Sequence, residues 1–236
     1  MSPIIKHNTI MNIYNLTIRM MIRATLTGCL LLLLFGCKNG PPSEKGPFRK
    51  PDLVEVVALD TAIHLDIRYA TSHNFTGHPV YLQAKCILQR PAAEALVRVN
   101  HKLRDSGYGI LVFDGYRPWS VTKLFWEKAT RKERKKGFVA NPALGSKHNR
   151  GCAIDLSLYD LSTGKEVVMP SQYDEFTERA GAKYEGGSSE SRRLREILHA
   201  AMESEGFYVV DEEWWHFDYK DWKSYRIGDI PFEAIP

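Results

Sequence analysis

The sequence has few cysteines, no hydrophobic run long enough to cross a bilayer and little net charge over most of its length. Four of its 236 residues are cysteine, and only Cys86 and Cys152 lie beyond the first 40 positions. A small disulfide-stapled domain would need several paired cysteines. We therefore predict two isolated buried thiols, although these two residues could also pair in an oxidising compartment.

The longest hydrophobic run is too short to be a membrane span. It covers Ala24–Gly36, whereas a spanning helix needs about 20 residues. Arg19 and Arg23 precede it, and the first 36 residues contain no acidic side chain. A positively charged segment followed by a short apolar core is typical of an export signal, which predicts residues 1–36 to be a signal peptide.

Cys37 stands directly after this run. Leu34-Phe35-Gly36-Cys37 resembles the lipobox of bacterial lipoproteins, in which the cysteine thiol receives a diacylglycerol and becomes the new N-terminus. The resemblance implies a lipid anchor on Cys37 and a place in the bacterial cell envelope. Lys38 stands where an aspartate retains many lipoproteins at an inner membrane, which favours the periplasmic side of the outer membrane in a cell with two. The alternative is ordinary secretory cleavage beside a coincidental cysteine.

The rest of the chain reads as one nearly neutral domain behind a linker. Three basic residues of the predicted signal account for most of the formal charge of +4, so the remainder gives no reason to expect a nucleic-acid partner. Residues 37–52 contain four prolines without periodicity, which predicts a flexible linker after the lipidated cysteine. Residues 53–236 are long enough for a single folded domain. The sequence leaves the oligomeric state open.

Hydrophobic periodicity predicts both strands and helices in this domain. The predicted strands are Ile63–Tyr69, Gly109–Phe113, Cys152–Leu158, Phe207–Val210 and Trp214–Tyr219. The predicted helices are Pro91–Ser106, Pro118–Lys128 and Ser188–Glu205.

A histidine and an aspartate could share a metal ion if the chain turns back between them. An extended chain from His148 to Asp155 would span roughly 23 Å, whereas Zn²⁺ holds both donor types at about 2.0–2.2 Å. Gly151 is the obvious place for a bend. His216 would be a third donor, with Glu213 as a carboxylate beside it. Taken alone, His148 and Asp155 do not establish a metal site, because most histidine–aspartate pairs at this spacing are functionally unrelated.

Four segments of the chain resemble one enzyme family. Ser146–Asp155 matches Ser-x-His-x-x-Gly-x-Ala-x-Asp, and Glu213–His216 matches Glu-x-Trp-His. Tyr69–Gly77 reads Tyr-Ala-Thr-Ser-His-Asn-Phe-Thr-Gly, and Asp114–Pro118 reads Asp-Gly-Tyr-Arg-Pro. Together they resemble the zinc D-alanyl-D-alanine dipeptidases and their D,D-carboxypeptidase relatives, over most of Leu53–Tyr219. The run Tyr69–Gly77 resembles the dipeptidases more than the carboxypeptidases.

The resemblance implies a role for each residue of the predicted catalytic centre. His148, Asp155 and His216 would bind one zinc ion per chain. Glu213 would accept a proton from the attacking water and pass it to the leaving amine. Arg117 would stabilise the oxyanion that forms on the scissile carbonyl.

The resemblance also implies a set of substrate contacts. Tyr69, Ser146 and Asp174 would hold the free ammonium group of a dipeptide. Three of the assigned residues have a plainer alternative: Tyr69 as a core tyrosine, Asp174 as an exposed acid, and Arg117 as the partner of Asp114 in a turn.

The family resemblance implies an α+β fold with a small, mostly antiparallel sheet, flanking helices and the zinc site on the open face of the sheet. The function it implies is zinc-dependent hydrolysis of D-alanyl-D-alanine or a similar D,D-dipeptide. Two alternatives remain: a D,D- or L,D-carboxypeptidase that trims peptidoglycan stem peptides, and a non-enzymatic lipoprotein that binds the cell envelope. An intact Glu213 and Arg117 argue against the second, because a binding scaffold needs neither.

Overall fold

The structure, a computed structural model, describes residues 40–235. The predicted signal peptide and Cys37 lie outside the described residues, so both stay predictions. Within the described part of the chain, no helix combines the length and hydropathy that a bilayer crossing requires. Cys86 and Cys152 are both buried and free, which agrees with two isolated thiols.

The described part of the chain contains seven strands and four α-helices. The strands are β1 (Leu53–Glu55), β2 (His64–Leu65), β3 (Ile87–Gln89), β4 (Tyr108–Asp114), β5 (Ala153–Asp160), β6 (Phe207–Val210) and β7 (Glu213–Tyr219). The α-helices are α1 (Arg90–Arg104), α2 (Trp119–Lys128), α3 (Arg131–Lys136) and α4 (Ser189–Glu203).

Five of the strands form the main sheet, in the order β2-β4-β5-β7-β6. β2 runs parallel to β4, and every other neighbouring pair is antiparallel. β1 and β3 form a separate antiparallel pair. The α+β fold with a mostly antiparallel sheet, predicted from the sequence, is confirmed.

Helices α1 and α4 cover one side of the sheet. Each has the apolar face that its hydrophobic periodicity predicts, and the two helices contact each other as well as strands of the main sheet. Pro91 lies in the first turn of α1, where its missing N–H leaves no helical hydrogen bond unmade. The buried side chains on these faces include Leu96, Val99 and Leu103 in α1, and Leu194, Leu198 and Met202 in α4.

Strand β2 is shorter than the predicted strand Ile63–Tyr69. Only His64–Leu65 pair with β4, and Arg68–Ala70 forms a 3-10 turn. The carbonyl of Tyr69 then accepts two backbone N–H groups from the following loop, so the chain turns away from the sheet at this residue. The predicted alternation still describes burial, because Ile63 and Ile67 are both buried.

The described part of the predicted linker contacts the domain. The Glu44 carboxylate accepts hydrogen bonds from the Arg150 guanidinium and, at 2.8 Å, from the backbone N–H of Ile227. The Glu44 side chain is 20% exposed. From residue 40 onward, the segment therefore differs from the free tether that its prolines predict.

The chain bends at Gly151, as the sequence predicts. A 3-10 turn over His148–Arg150 ends at this glycine, whose φ of 67° lies in the left-handed region. A Cβ added to Gly151 would lie 2.7 Å from Cδ2 of Leu53. Since β5 begins two residues later, the turn brings His148 back beside Asp155.

We expect Gly151→Ala to lower the free energy of unfolding by about 2–4 kcal/mol. The left-handed conformation costs a non-glycine residue roughly 1–2 kcal/mol, and the contact with Leu53 requires a further shift of packed atoms. Gly164→Ala is the matched control, because Gly164 has a φ of 69° but open space where its Cβ would lie. Urea unfolding of both variants separates the two effects, and equal losses would contradict the steric part.

Candidate active site

His148, Asp155 and His216 meet on the inner strands of the main sheet. His148 lies in the 3-10 turn before β5, and Asp155 on β5 is the direct register partner of His216 on β7. Oδ1 of Asp155 lies 3.3 Å from Nε2 of His148 and 3.0 Å from Nδ1 of His216, and these two nitrogens are 3.1 Å apart. The structure thus brings together all three predicted metal ligands.

The donor set fits a divalent metal ion such as zinc. Tetrahedral donors at about 2.0–2.2 Å from an ion lie roughly 3.3–3.6 Å from one another, which is close to the observed spacings of 3.0–3.3 Å. All three residues are at least largely buried. Two imidazoles and one carboxylate leave one of four positions free for water, as in catalytic zinc sites.

The surroundings of the three residues set the tautomer of His148 and shift the pKa values of Asp155 and His216. His148 donates its Nδ1–H to the carbonyl of Gly115 at 2.7 Å, which leaves its Nε2 for a metal. Burial opposes the charge on Asp155, but its contacts with the two histidines hold its pKa well below the usual range. Burial also opposes charge on His216, yet its hydrogen bonds to Asp155 and Asp218 raise its pKa to about 10. A metal must therefore displace a proton from His216.

Glu213 reaches the same centre because it is the first residue of β7. Residues three apart on one strand face opposite sides, but β6 and β7 are joined by a two-residue turn with a register shift beside it. This places Oε2 of Glu213 3.8 Å from Nδ1 of His216. Burial raises the pKa of Glu213 to about 8.

Arg117 lies in the short segment between β4 and α2, where it can serve in either of its two predicted roles. Its Nε and Nη2 donate to Oδ2 of Asp114 at 3.0 and 2.7 Å, so the turn pair exists. Its Nη2 also lies 3.8 Å from Oδ2 of Asp155, and Arg117 lines the cavity beside the three predicted metal ligands. Asp114 therefore orients the guanidinium through Nε and Nη2, and Nη1 makes no hydrogen bond within the described chain.

Tyr69 and Asp174 form one unit at the side of the cavity. The Tyr69 hydroxyl lies 3.1 Å from each carboxylate oxygen of Asp174. Asp174 has a φ of 57°, which is rare for a residue other than glycine and marks a strained position. Burial, with the nearby Asp155, raises the pKa of Asp174 to about 7. A cationic partner would favour the charged form of this half-buried carboxylate.

Ser146 lies at the cavity but already has a structural hydrogen bond. Its Oγ accepts the backbone N–H of His148 at 3.2 Å. The hydroxyl can still donate, so its predicted contact with a substrate stays a prediction.

The cavity that joins these residues has a volume of about 300 Å³ and an aromatic wall. Phe138 and Phe176 stack with ring centroids 5.0 Å apart, and Phe75 packs on Phe176 and Phe125. This wall could not be predicted from the sequence, because its members come from four separate segments. An apolar wall opposite fixed charges suits a small, partly apolar ligand.

Two supporting residues were also missed. The Tyr173 hydroxyl donates to Oδ2 of Asp155 at 3.1 Å, and Asp218 contacts Nε2 of His216 at 3.0 Å. The second had a sequence signal, because side chains two apart on a strand lie on the same face. The first had none, since Tyr173 lies in a loop.

Asp174→Asn is expected to change the pH dependence of stability. The folded-state pKa of about 7 exceeds the usual value of about 3.9. The buried carboxyl therefore stabilises the fold below pH 4, and this contribution disappears as the pH rises to 7. The variant should gain about 2–4 kcal/mol relative to the wild type between pH 4 and 7. Urea unfolding with a chelator present tests this, and a pH-independent difference would contradict it.

Comparison with known proteins identifies the family of this chain. The family model described as D-ala-D-ala dipeptidase matches residues 49–229. The D-alanyl-D-alanine dipeptidase of Escherichia coli is 32% identical over 176 residues, which cover 75% of this chain and 89% of that protein. The proteins of the same name from Enterococcus faecium and Enterococcus faecalis are 35% and 36% identical, covering 69% and 74% of this chain and 90% and 92% of their own length. The chain belongs to the D-alanyl-D-alanine dipeptidase family, as its four motifs predict.

Proposed function

We propose that this protein is a zinc dipeptidase, with one zinc ion per chain, that hydrolyses D-alanyl-D-alanine or a similar D,D-dipeptide to free D-amino acids. The observation that carries the proposal is one cavity lined by the three metal-binding residues, Glu213 and the Tyr69–Asp174 unit. The relatives that bear the name D-alanyl-D-alanine dipeptidase support the substrate class.

His148, Asp155 and His216 would hold the zinc ion. When bound, zinc lowers the pKa of water and polarises a carbonyl group. Glu213 takes the proton of the attacking water and returns it to the leaving amine. A carboxyl group whose pKa lies near neutrality suits both transfers.

Two further groups act on the substrate itself. The Arg117 guanidinium, fixed by Asp114, offers its remaining N–H groups to the oxygen on which negative charge develops. Asp174, assisted by Tyr69, pairs with the free ammonium of the dipeptide. A chain extended at that end lacks the ammonium and would leave the buried carboxylate unpaired, so such substrates should be rejected.

Release of D-alanine by the purified protein with zinc tests the proposal. D-alanyl-D-alanine and a stem pentapeptide that ends in the same two residues are offered separately. We expect cleavage of the dipeptide and little or none of the pentapeptide. Cleavage of both would favour the carboxypeptidase alternative, and cleavage of neither would overturn the assignment as a peptidase of D,D-peptides.

Asp174→Ala should separate the two peptidase activities. Loss of a buried charged partner costs about 2–5 kcal/mol in binding, so kcat/KM for the dipeptide should fall by about 30-fold or more. Glu175→Ala is the matched control, because Glu175 is the next acid along the chain and does not line the cavity. A dipeptidase activity that is the same in both variants would contradict the ammonium-binding role.

We also propose that the protein is anchored in the bacterial cell envelope by a lipid on Cys37. The lipobox-like segment before this cysteine supports the proposal. Expression of the full chain with Cys37→Ser should move the protein from the membrane fraction to the soluble one. Mass spectrometry of the wild type should show a diacylglyceryl group, and its absence would overturn the anchor.

A further inference from the structure

The two metal-binding histidines are supported in different ways. The Nδ1–H of His148 donates a hydrogen bond to a backbone carbonyl, that of Gly115. His216 instead has a carboxylate at that place, since its Nε2 lies 3.0 Å from Oδ1 of Asp218. Only the second support can be changed by a side-chain substitution.

Asp218 is held in place by further contacts. It lies two residues after His216 on β7, so both side chains are on the same face of the strand. Its other oxygen, Oδ2, lies 3.0 Å from Nζ of Lys147, and its side chain is only 13% exposed. Lys147 directly precedes His148, so this ion pair joins the turn that carries one metal-binding histidine to the strand that carries the other.

A carboxylate at Nε2 has two consequences for His216. It accepts the Nε2–H and so fixes the tautomer that leaves the lone pair on Nδ1, the nitrogen that faces Asp155. It also fixes the ring orientation and makes the imidazole a more basic ligand. Lys147 balances the added negative charge beside a centre that already contains Asp155 and Glu213.

We propose that Asp218, held by Lys147, is a positioning residue that orients His216 and strengthens metal binding through it. This inference rests on the proposed function, because it requires a metal bound by His216. It adds two residues to the centre: Asp218, which lies outside the four family-like motifs, and Lys147, which occupies an unspecified position of the first.

The zinc dissociation constant, measured by competition with a chromophoric chelator, tests the proposal. Loss of such a support typically weakens metal binding by about 10–100-fold, and we expect this for Asp218→Ala. Asp218→Asn should lose less, because its amide oxygen can still accept the Nε2–H. Asp211→Ala is the matched control: it removes an Asp–Lys pair at 3.1 Å, but with Lys183 on the exposed surface. Its dissociation constant should equal that of the wild type.

Two further measurements exclude a merely structural role. The absorption spectrum of the cobalt-loaded protein should change in Asp218→Ala but not in Asp211→Ala, because only the former alters a ligand. Lys147→Met should weaken zinc binding less than Asp218→Ala does. The double variant should bind no more weakly than Asp218→Ala alone, because the lysine acts through the carboxylate.

The outcomes separate this inference from the proposed function. A wild type that binds no zinc would overturn the proposed function. A wild type that binds zinc, with Asp218→Ala within twofold of it, would overturn the role of Asp218 alone. If Asp218→Ala fails to fold, Asp218→Asn decides: unchanged zinc affinity with an unchanged cobalt spectrum overturns the inference, and a shift in both supports it.

Discussion

Glu213→Gln is expected to lower kcat for D-alanyl-D-alanine by about 10²–10⁴-fold, the usual contribution of a general acid–base group. Glutamine has nearly the shape of glutamate but cannot accept the proton of the attacking water. Since Glu213 is not one of the three grouped metal-binding residues, the zinc content should stay near one ion per chain. Steady-state kinetics and metal analysis of the same preparation give both quantities.

Glu212→Gln is the matched control for this experiment. Glu212 is the preceding residue and lines the same cavity, but it is exposed and is not grouped with the predicted metal ligands. Its kcat should stay within about threefold of the wild type, as for most surface substitutions. Full activity of Glu213→Gln would remove the general base from the mechanism and leave the metal-binding assignment intact.

Arg117→Lys should lower kcat by about 10²–10³-fold, the typical loss for one donor to a developing oxyanion. Lysine keeps the positive charge near Asp114 but lacks the planar guanidinium. Only the guanidinium can bind the carboxylate through two N–H groups and still present a further one to the substrate. KM should change less than kcat, because the contact is made chiefly in the transition state. Steady-state kinetics on the dipeptide measures both.

Arg68→Lys is the control for Arg117→Lys. Arg68 also pairs with carboxylates, those of Asp66 and Glu166, and its side chain is 20% exposed, but it does not line the cavity. Both variants should lose some stability from weaker ion pairs, whereas only Arg117→Lys should lose turnover. If the two variants lose turnover equally, Arg117 acts through the stability of the fold and not through the oxyanion.

The three predicted metal ligands could be named from the sequence because their motifs resemble those of a known family, whereas local structure alone left His148 and Asp155 ambiguous. Gly151 makes the bend after His148, and strand periodicity places Asp155 on β5. The position of Glu213 was predictable in part, since it requires a turn directly before β7, and Asp211-Glu212 forms one.

The remaining features depend on contacts between distant segments, which periodicity does not describe. The aromatic wall needs four segments to pack together, and Tyr173 reaches Asp155 from a loop. The strand predicted for Ile63–Tyr69 is short because the following loop bonds to the Tyr69 carbonyl. Likewise, nothing in its prolines indicates that the linker would contact the domain through Glu44.

The direct pairing of Asp155 with His216 restricts how the gene can change by insertion or deletion. Side chains alternate with a period of two, so a one-residue deletion within β5 or β7 would turn one of these side chains to the opposite face. The deletion would remove one of the three predicted metal ligands from the centre and would also disrupt strand pairing. Length changes near Gly164 do not carry this penalty, because that turn lies past the paired residues. Natural length variation should therefore be found in such turns and be absent from these two strands.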